Sequence, residues 1–397
     1  HANRTVEDNV VLLNTGAGKS IVGVLMAQSL VNEDIGPVVF ACATIDLIEQ
    51  TARECERLGL KYTKRAQSKF SNDLFETGKA FCITTYQSLF VANTTFNGAK
   101  APAAVIFDDA HVAERVIRDA FTLTIDRNKY PELFRDVVQI VRPEFDALGK
   151  GPHFSFVLEQ VGAQSVTMCP PATAYRHREA ILEAIKRVPD WRNKLDLMFP
   201  AVRLWEQLGR CAIFVSSTAI EITPPFIPTG VYDFLGNGVR RIYLSATMEY
   251  ETDFVRGFGR RANNPIVPDN DAGNGERLIL LSSRFDEKVE KKKLALDILE
   301  KHKLLISVPS YTKAAFWKDL GTPPTPANFT AELEAFRAAK AGSFVLVSRI
   351  DGIDLPQDAC RIMLIDGAPA GASLIDQYLF QHMSMANLYS TKMAGRI

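Results

Sequence analysis

The sequence is poor in four things: paired cysteines, long apolar runs, net charge and internal repetition. None of its six cysteines (Cys42, Cys55, Cys82, Cys169, Cys211, Cys360) stands in a Cys-x-x-Cys pair. A zinc site, an iron–sulfur cluster and a redox dithiol are therefore not expected, and the thiols read as reduced structural residues of a cytoplasmic protein. No apolar run approaches the roughly 18 residues that cross a bilayer, and the first residues carry no leader pattern, so no membrane partner is expected. Lys plus Arg balance Asp plus Glu at 46 each. With no global field, contact with a polyanion must come from local patches. His111, His153 and His177 lack metal-ligand spacing, and the two halves show no repeat.

What the 397 residues do have is a globular composition, 47% apolar and 23% charged, long enough for two or three domains. The run Val10-Val11-Leu12-Leu13 breaks at Asn14 into Thr15-Gly16-Ala17-Gly18-Lys19-Ser20. An apolar strand, a glycine turn and a helix start form a phosphate cradle: the glycines let backbone N–H groups converge on an anion, and the following helix aims its positive end there. In this pattern Lys19 reaches the outer phosphates and the Ser20 hydroxyl ligates Mg²⁺. Leu13 occupies the place where the stricter form of the motif has glycine. A plain glycine turn between strand and helix is the alternative for this stretch taken alone.

Further strand-like runs at 36–44, 81–86 and 103–109 alternate with helical or polar stretches, which predicts a parallel sheet covered on both faces. The run at 103–109 ends in Asp108-Asp109-Ala110-His111. Ligands bind at the carboxyl ends of parallel strands, so Asp108 is placed to hold Mg²⁺ and Asp109 to orient and deprotonate an attacking water. A helix N-cap at a strand exit is the alternative. From 112 to 239 the pattern turns mixed and mainly helical, with strands at 211–215 and 219–222, and reads as an insertion. The first sheet resumes at 241–248 with Ser245-Ala246-Thr247, which in isolation is ordinary turn chemistry. A second α/β region follows, with strands expected at 278–281, 304–308, 344–347 and 361–365 and helices at 287–302, 312–320 and 330–339.

Taken in order, these segments resemble a superfamily 2 helicase of the DEAD/DEAH-box type. Thr15–Ser20 looks like motif I, Ala43-Thr44 with Gln50 like motif Ia, Thr84-Thr85-Tyr86-Gln87 like motif Ib, Asp108–His111 like motif II and Ser245–Thr247 like motif III. Val308-Pro309-Ser310-Tyr311 is similar to motif IV of the XPD and DinG-like branch, Asp351–Pro356 to its motif V, and Gly395-Arg396-Ile397 to the core of motif VI. Asp109 stands where the family usually has Glu, one methylene longer. Cys42, Cys55 and Cys82 lack the ligand spacing of that branch's iron–sulfur cluster.

The resemblance implies an α/β fold of two RecA-like parallel-sheet domains in tandem, with a mixed, mainly helical insertion in the first. The expected divisions are 1–111 with 240–272, an arch-like insertion over 112–239, and 273–397. It implies ATP and Mg²⁺ as cofactors: Thr15, Gly16, Ala17, Gly18, Lys19, Ser20, Gly352 and Asp354 toward the nucleotide, Ser20 and Asp108 toward the metal, and Lys19, Asp108, Asp109 and Arg396 in catalysis. Thr44, Thr85, Tyr86, Ser310 and Tyr311 are expected on nucleic acid, and His111, Ser245 and Thr247 in coupling. The implied activity is an ATP-dependent helicase or translocase on single-stranded or forked nucleic acid, DNA favoured. Two alternatives stay open: an ATP-driven switch gating a protein partner such as a nuclease, and a small-molecule kinase using the cradle alone.

Overall fold

A computed structural model describes residues 3, 5–14, 17–66, 68–91, 94–160, 165–246, 248, 251–262, 265–268, 278–281, 290–325, 327–347, 353, 355, 357–367 and 373–383. The chain divides into two compact units, 1–274 with 373–386, and 275–372 with 387–397.

The first unit is built on β1 (Asp8–Leu12), α1 (Lys19–Asn32), β2 (Val38–Cys42), α2 (Ile45–Arg57), β3 (Tyr62–Ala66), β4 (Lys69–Phe70), β5 (Phe81–Thr85), α3 (Tyr86–Phe90), β6 (Ala104–Phe107) and α4 (Ala110–Ala120). After the insertion, β11 (Arg240–Ser245) and α10 (Glu251–Phe258) complete it. The sheet order is β1-β11-β6-β2-β5-β3-β4, parallel throughout except for the β3–β4 hairpin. Parallel strands covered on both faces favour near-continuous apolar runs, and β2, β5 and β6 are buried from end to end, Thr84 and Thr85 of β5 included. Alternate residues feed opposite layers: Val39, Val105, Phe107 and Tyr243 face one core, Phe40, Ile83, Ile106 and Leu244 the other. Gly23 sets how closely α1 can approach, since a Cβ there would lie 2.6 Å from both Leu244 and Phe40. The hairpin β3–β4 was not anticipated from the sequence.

The insertion holds β7 (Leu123–Asp126), α5 (Pro131–Asp146), α6 (Gly151–Glu159), β8 (Thr167–Met168), α7 (Thr173–Arg176), α8 (Arg178–Arg187), α9 (Leu195–Leu204), β9 (Ala212–Val215) and β10 (Ala219–Thr223). Its strands form an antiparallel sheet, β7-β10-β9-β8, with a core of its own. The second unit contains α11 (Lys291–Leu299), β12 (Leu304–Val308), α12 (Tyr311–Ala314), α13 (Phe329–Ala338), β13 (Ser343–Val347) and β14 (Ile362–Ile365), the strands parallel in the order β13-β12-β14.

Two observations differ from expectation. The run Leu278–Leu281, expected as a strand, pairs with no strand among the described residues and is exposed along its length, Leu278 by 86%. Its aliphatic composition favours a pleated, half-buried surface, but no neighbouring edge among the described residues supplies one. The helix α14 (Leu374–His382), expected in the second domain, groups with the first unit, where it lies on the sheet of the insertion. Glu221 accepts the Leu374 N–H at 2.8 Å, the Gln381 amide oxygen accepts the Val166 N–H at 3.3 Å, and the Tyr378 ring packs 5.4 Å from that of Phe214.

Candidate nucleotide-binding site

The carboxyl ends of β1, β11 and β6 lie side by side, and the strand exits carry the polar residues. Ala17 N–H closes a turn on the Asn14 carbonyl at 3.1 Å. Gly18 then caps α1 with φ 80° and ψ 30°, left-handed backbone that glycine adopts without the Cβ clash. Lys19 and Ser20 thus open the helix, whose free N–H groups face the strand exits. Leu13 N–H donates to the Ser245 carbonyl at 3.0 Å, tying the end of β11 to the chain that enters this turn, and the buried Ser245 Oγ accepts Met248 N–H at 3.2 Å.

Asp108 is 2% exposed. Its Oδ2 accepts the Ser20 hydroxyl at 2.9 Å, whereas its Oδ1 is out of solvent and has no hydrogen-bond partner among the described residues. Burial, reinforced by the neighbouring Asp109 charge, pushes the Asp108 carboxyl up to about 7 against the opposing pull of Ser20 and Lys19. A buried acceptor left open beside a serine hydroxyl fits a divalent cation: hard oxygen donors, one carboxylate and one hydroxyl, are what Mg²⁺ takes from protein when phosphates supply the rest.

Asp109 caps α4 in left-handed backbone, φ 51°, and its Oδ1 lies 3.4 Å from the Lys19 ammonium. A non-glycine residue held there is strained by about 1–3 kcal/mol, and such strain collects at functional sites. The pairing joins the first turn of α1 to the acidic pair across the intervening β11.

Tyr86 corrects one expectation. It is fully buried, stacks on Phe107 with centroids 6.1 Å apart, and donates its hydroxyl to the Asp108 carbonyl at 2.6 Å. It cannot face a nucleic-acid strand; it holds the backbone of the acidic pair. The tyrosine was legible in the sequence but its direction was not, because it opens α3 and turns inward with the apolar face. Thr85, 6% exposed, and Thr44, half-buried, spend their hydroxyls capping α3 and α2, at 3.2 Å from Ser88 N–H and Leu47 N–H. His111 lies half-buried in the first turn of α4. In the second unit Ser310 caps α12 and Tyr311 is 68% exposed. Thr15, Gly16, Thr247, Gly352, Asp354 and Arg396 lie outside the described residues.

Parallel strands, a glycine-led helix start and an acidic strand exit give the first unit a P-loop fold of the RecA type, and the second unit adds another parallel α/β sheet. Residues 2–134 match the family described as the res subunit of type III restriction enzymes. Among solved structures the chain is similar to an apo XPD (TM-score 0.56, 14% identity, covering 98% of this chain and 89% of that one), an XPD helicase (0.54, 14%, 98% and 89%) and S. tokodaii Xpd4 (0.54, 14%, 99% and 86%). No curated protein matches it in sequence. The match to the restriction-subunit family thus lies in the sequence of the first third, and the likeness to the XPD structures lies in the fold along the chain.

Proposed function

We propose that this protein is an ATP-dependent helicase or translocase that couples hydrolysis to movement along single-stranded nucleic acid, DNA favoured over RNA. The observation that carries the reading is the Ser20–Asp108 pair with an open buried carboxylate oxygen, set beside Lys19 at a helix start. ATP would rest its phosphates on the turn at Gly18 and the first N–H groups of α1. Lys19 then exchanges Asp109 for the outer phosphates, which releases the Asp109 carboxylate to orient the attacking water and take its proton. Mg²⁺ held by Ser20 and Asp108 would supply neutralising charge to the phosphates. Gly352, Asp354 and Arg396 enter this reading from the motif resemblance alone, as do Thr247 and the coupling role of His111 and Ser245. Thr44, Thr85, Ser310 and Tyr311 are assigned to strand contacts that favour phosphate and sugar, so sequence preference should be weak.

The test is the ATPase rate without nucleic acid and with single-stranded, duplex and forked DNA and with RNA. Stimulation by single strands is expected, with binding that weakens as salt rises; a rate indifferent to every polymer counts against the motor. The shorter carboxylate of Asp109, engaged by Lys19, favours one second reading, an ATP-driven switch in which turnover gates a protein partner. Strand displacement by the protein alone at a rate comparable to ATP turnover excludes it.

A further inference from the structure

The β3–β4 hairpin and the residue before it carry Lys61, Lys64, Arg65 and Lys69 with no acidic residue between 61 and 70, a basic run in a chain without net charge, of which Lys64 pairs with Glu49 at 2.9 Å. Along β3 the residues alternate, and Thr63 and Arg65 turn inward. Arg65 is 6% exposed. Its guanidinium lies between two phenyl rings, 5.7 Å from the Phe70 centroid and 5.3 Å from that of Phe96, and both rings pack on Phe75.

Among the described residues no carboxylate answers that charge. Nε is out of solvent and has no hydrogen-bond partner, and no ion pair engages the side chain, among the described residues. The Thr95 hydroxyl, next to Phe96 in sequence, is also buried and has no hydrogen-bond partner among the described residues. Two aromatic faces attract a cation, the more so when it is desolvated, but they provide no acceptor for its N–H groups. Burial pushes the Arg65 pKa down, as it does for a cation short of counter-charge. Arg65 also has a defined place. It is the penultimate residue of β3, at the carboxyl edge of the sheet, and its carbonyl accepts the Thr84 hydroxyl at 3.0 Å, one residue from Thr85.

We propose that Arg65, clamped between Phe70 and Phe96, is a binding residue for a backbone phosphate of the nucleic-acid strand, with the basic hairpin as its approach. A phosphate oxygen would supply the acceptors that the fold withholds, and the rings would fix the guanidinium plane. The proposal rests on the nucleic-acid reading above.

The experiment measures binding of a labelled single-stranded oligonucleotide by anisotropy across a salt series, without ATP, for wild type, Arg65→Met and Arg65→Lys, together with their melting temperatures and their affinity for a fluorescent ATP analogue. Methionine keeps a long flexible side chain between the rings and removes the charge. The expected result is about tenfold weaker binding for Arg65→Met, a salt slope shallower by about 0.7, an unchanged or higher melting temperature and unchanged ATP affinity, with Arg65→Lys retaining the slope. If wild type binds and Arg65→Met binds equally well, the phosphate contact is wrong and the nucleic-acid reading stands. If wild type shows no salt-dependent binding, both fall. A lower melting temperature for Arg65→Met together with equal loss in Arg65→Lys, or a change in ATP affinity alone, also overturns the proposal.

Discussion

The two ends of the first unit's sheet treat charge in opposite ways. At the amino-terminal edge Arg241, fully buried, donates to both oxygens of Asp8 at 2.6 and 3.0 Å, to Glu7 at 3.2 Å and to the Gly236 carbonyl at 2.6 Å. Arg260 and the Tyr243 hydroxyl also bond Asp8, at 3.1 and 2.8 Å. At the carboxyl edge Asp108 keeps an open oxygen, Asp109 is strained, and Arg65 has no counter-ion among the described residues. Saturated networks fix a structure, and unsaturated groups in the same structure wait for something to bind. The amino-terminal edge therefore reads as stability and the carboxyl edge as function.

That contrast breaks most visibly at Asp8. Asp8→Ala removes the main partner of a buried guanidinium and should cost about 3–5 kcal/mol, read by denaturant unfolding, while ATP turnover per folded molecule stays close to wild type. The Asp8 carboxyl is held below its ordinary range: burial opposes this, and the Arg241 and Tyr243 bonds with the Arg241 and Arg260 charges outweigh it. A depressed carboxylate stabilises above its unfolded pKa, so this contribution should be lost as pH falls below about 4 and should vanish in Asp8→Ala. Asp108→Asn should do the reverse, lowering ATP turnover by about 10²–10³-fold with the melting temperature unchanged or raised. Equal stability losses at both positions would erase the distinction between the edges.

Two smaller effects sharpen it. Tyr86→Phe leaves the packing and removes one short bond to the Asp108 carbonyl, worth about 1–1.5 kcal/mol. A several-fold fall in kcat with little change in nucleic-acid affinity would mark Tyr86 as a positioning residue rather than a strand contact. Glu221, beneath α14, is pushed up to about 7 by burial and by Asp119 and Asp376, against the Leu374 and Ile375 N–H bonds. A raised acid contributes stability below its unfolded value, so the melting temperature should slip as pH rises from about 4.5 to 7 and then level. Glu221→Gln should flatten that slope, a difference of a few degrees at most.

What the sequence made legible was the part written in local patterns: continuous apolar runs became the parallel sheet, and Gly18, Lys19, Ser20, Asp108 and Asp109 stand at the strand exits where the runs end. What it hid depended on partners far apart along the chain. Arg241 and Asp8 are each ordinary strand-edge charges until β1 and β11 pair. The polar sequence of β3 gave no apolar signal, because its inward positions are filled by Thr63 and by an arginine between two rings. Tyr86 sat inside a recognisable motif, but a motif specifies residues and not the face of a helix on which they fall.

The return of α14 to the first unit leaves residues 275–372, the larger part of the second, running between two segments of the first. A single backbone cut within 275–372 would leave each fragment attached to that unit, one through its parallel sheet and the other through the helix seated against Phe214 and Glu221. Nicked protein should therefore migrate as one species in native gels and separate only in denaturant.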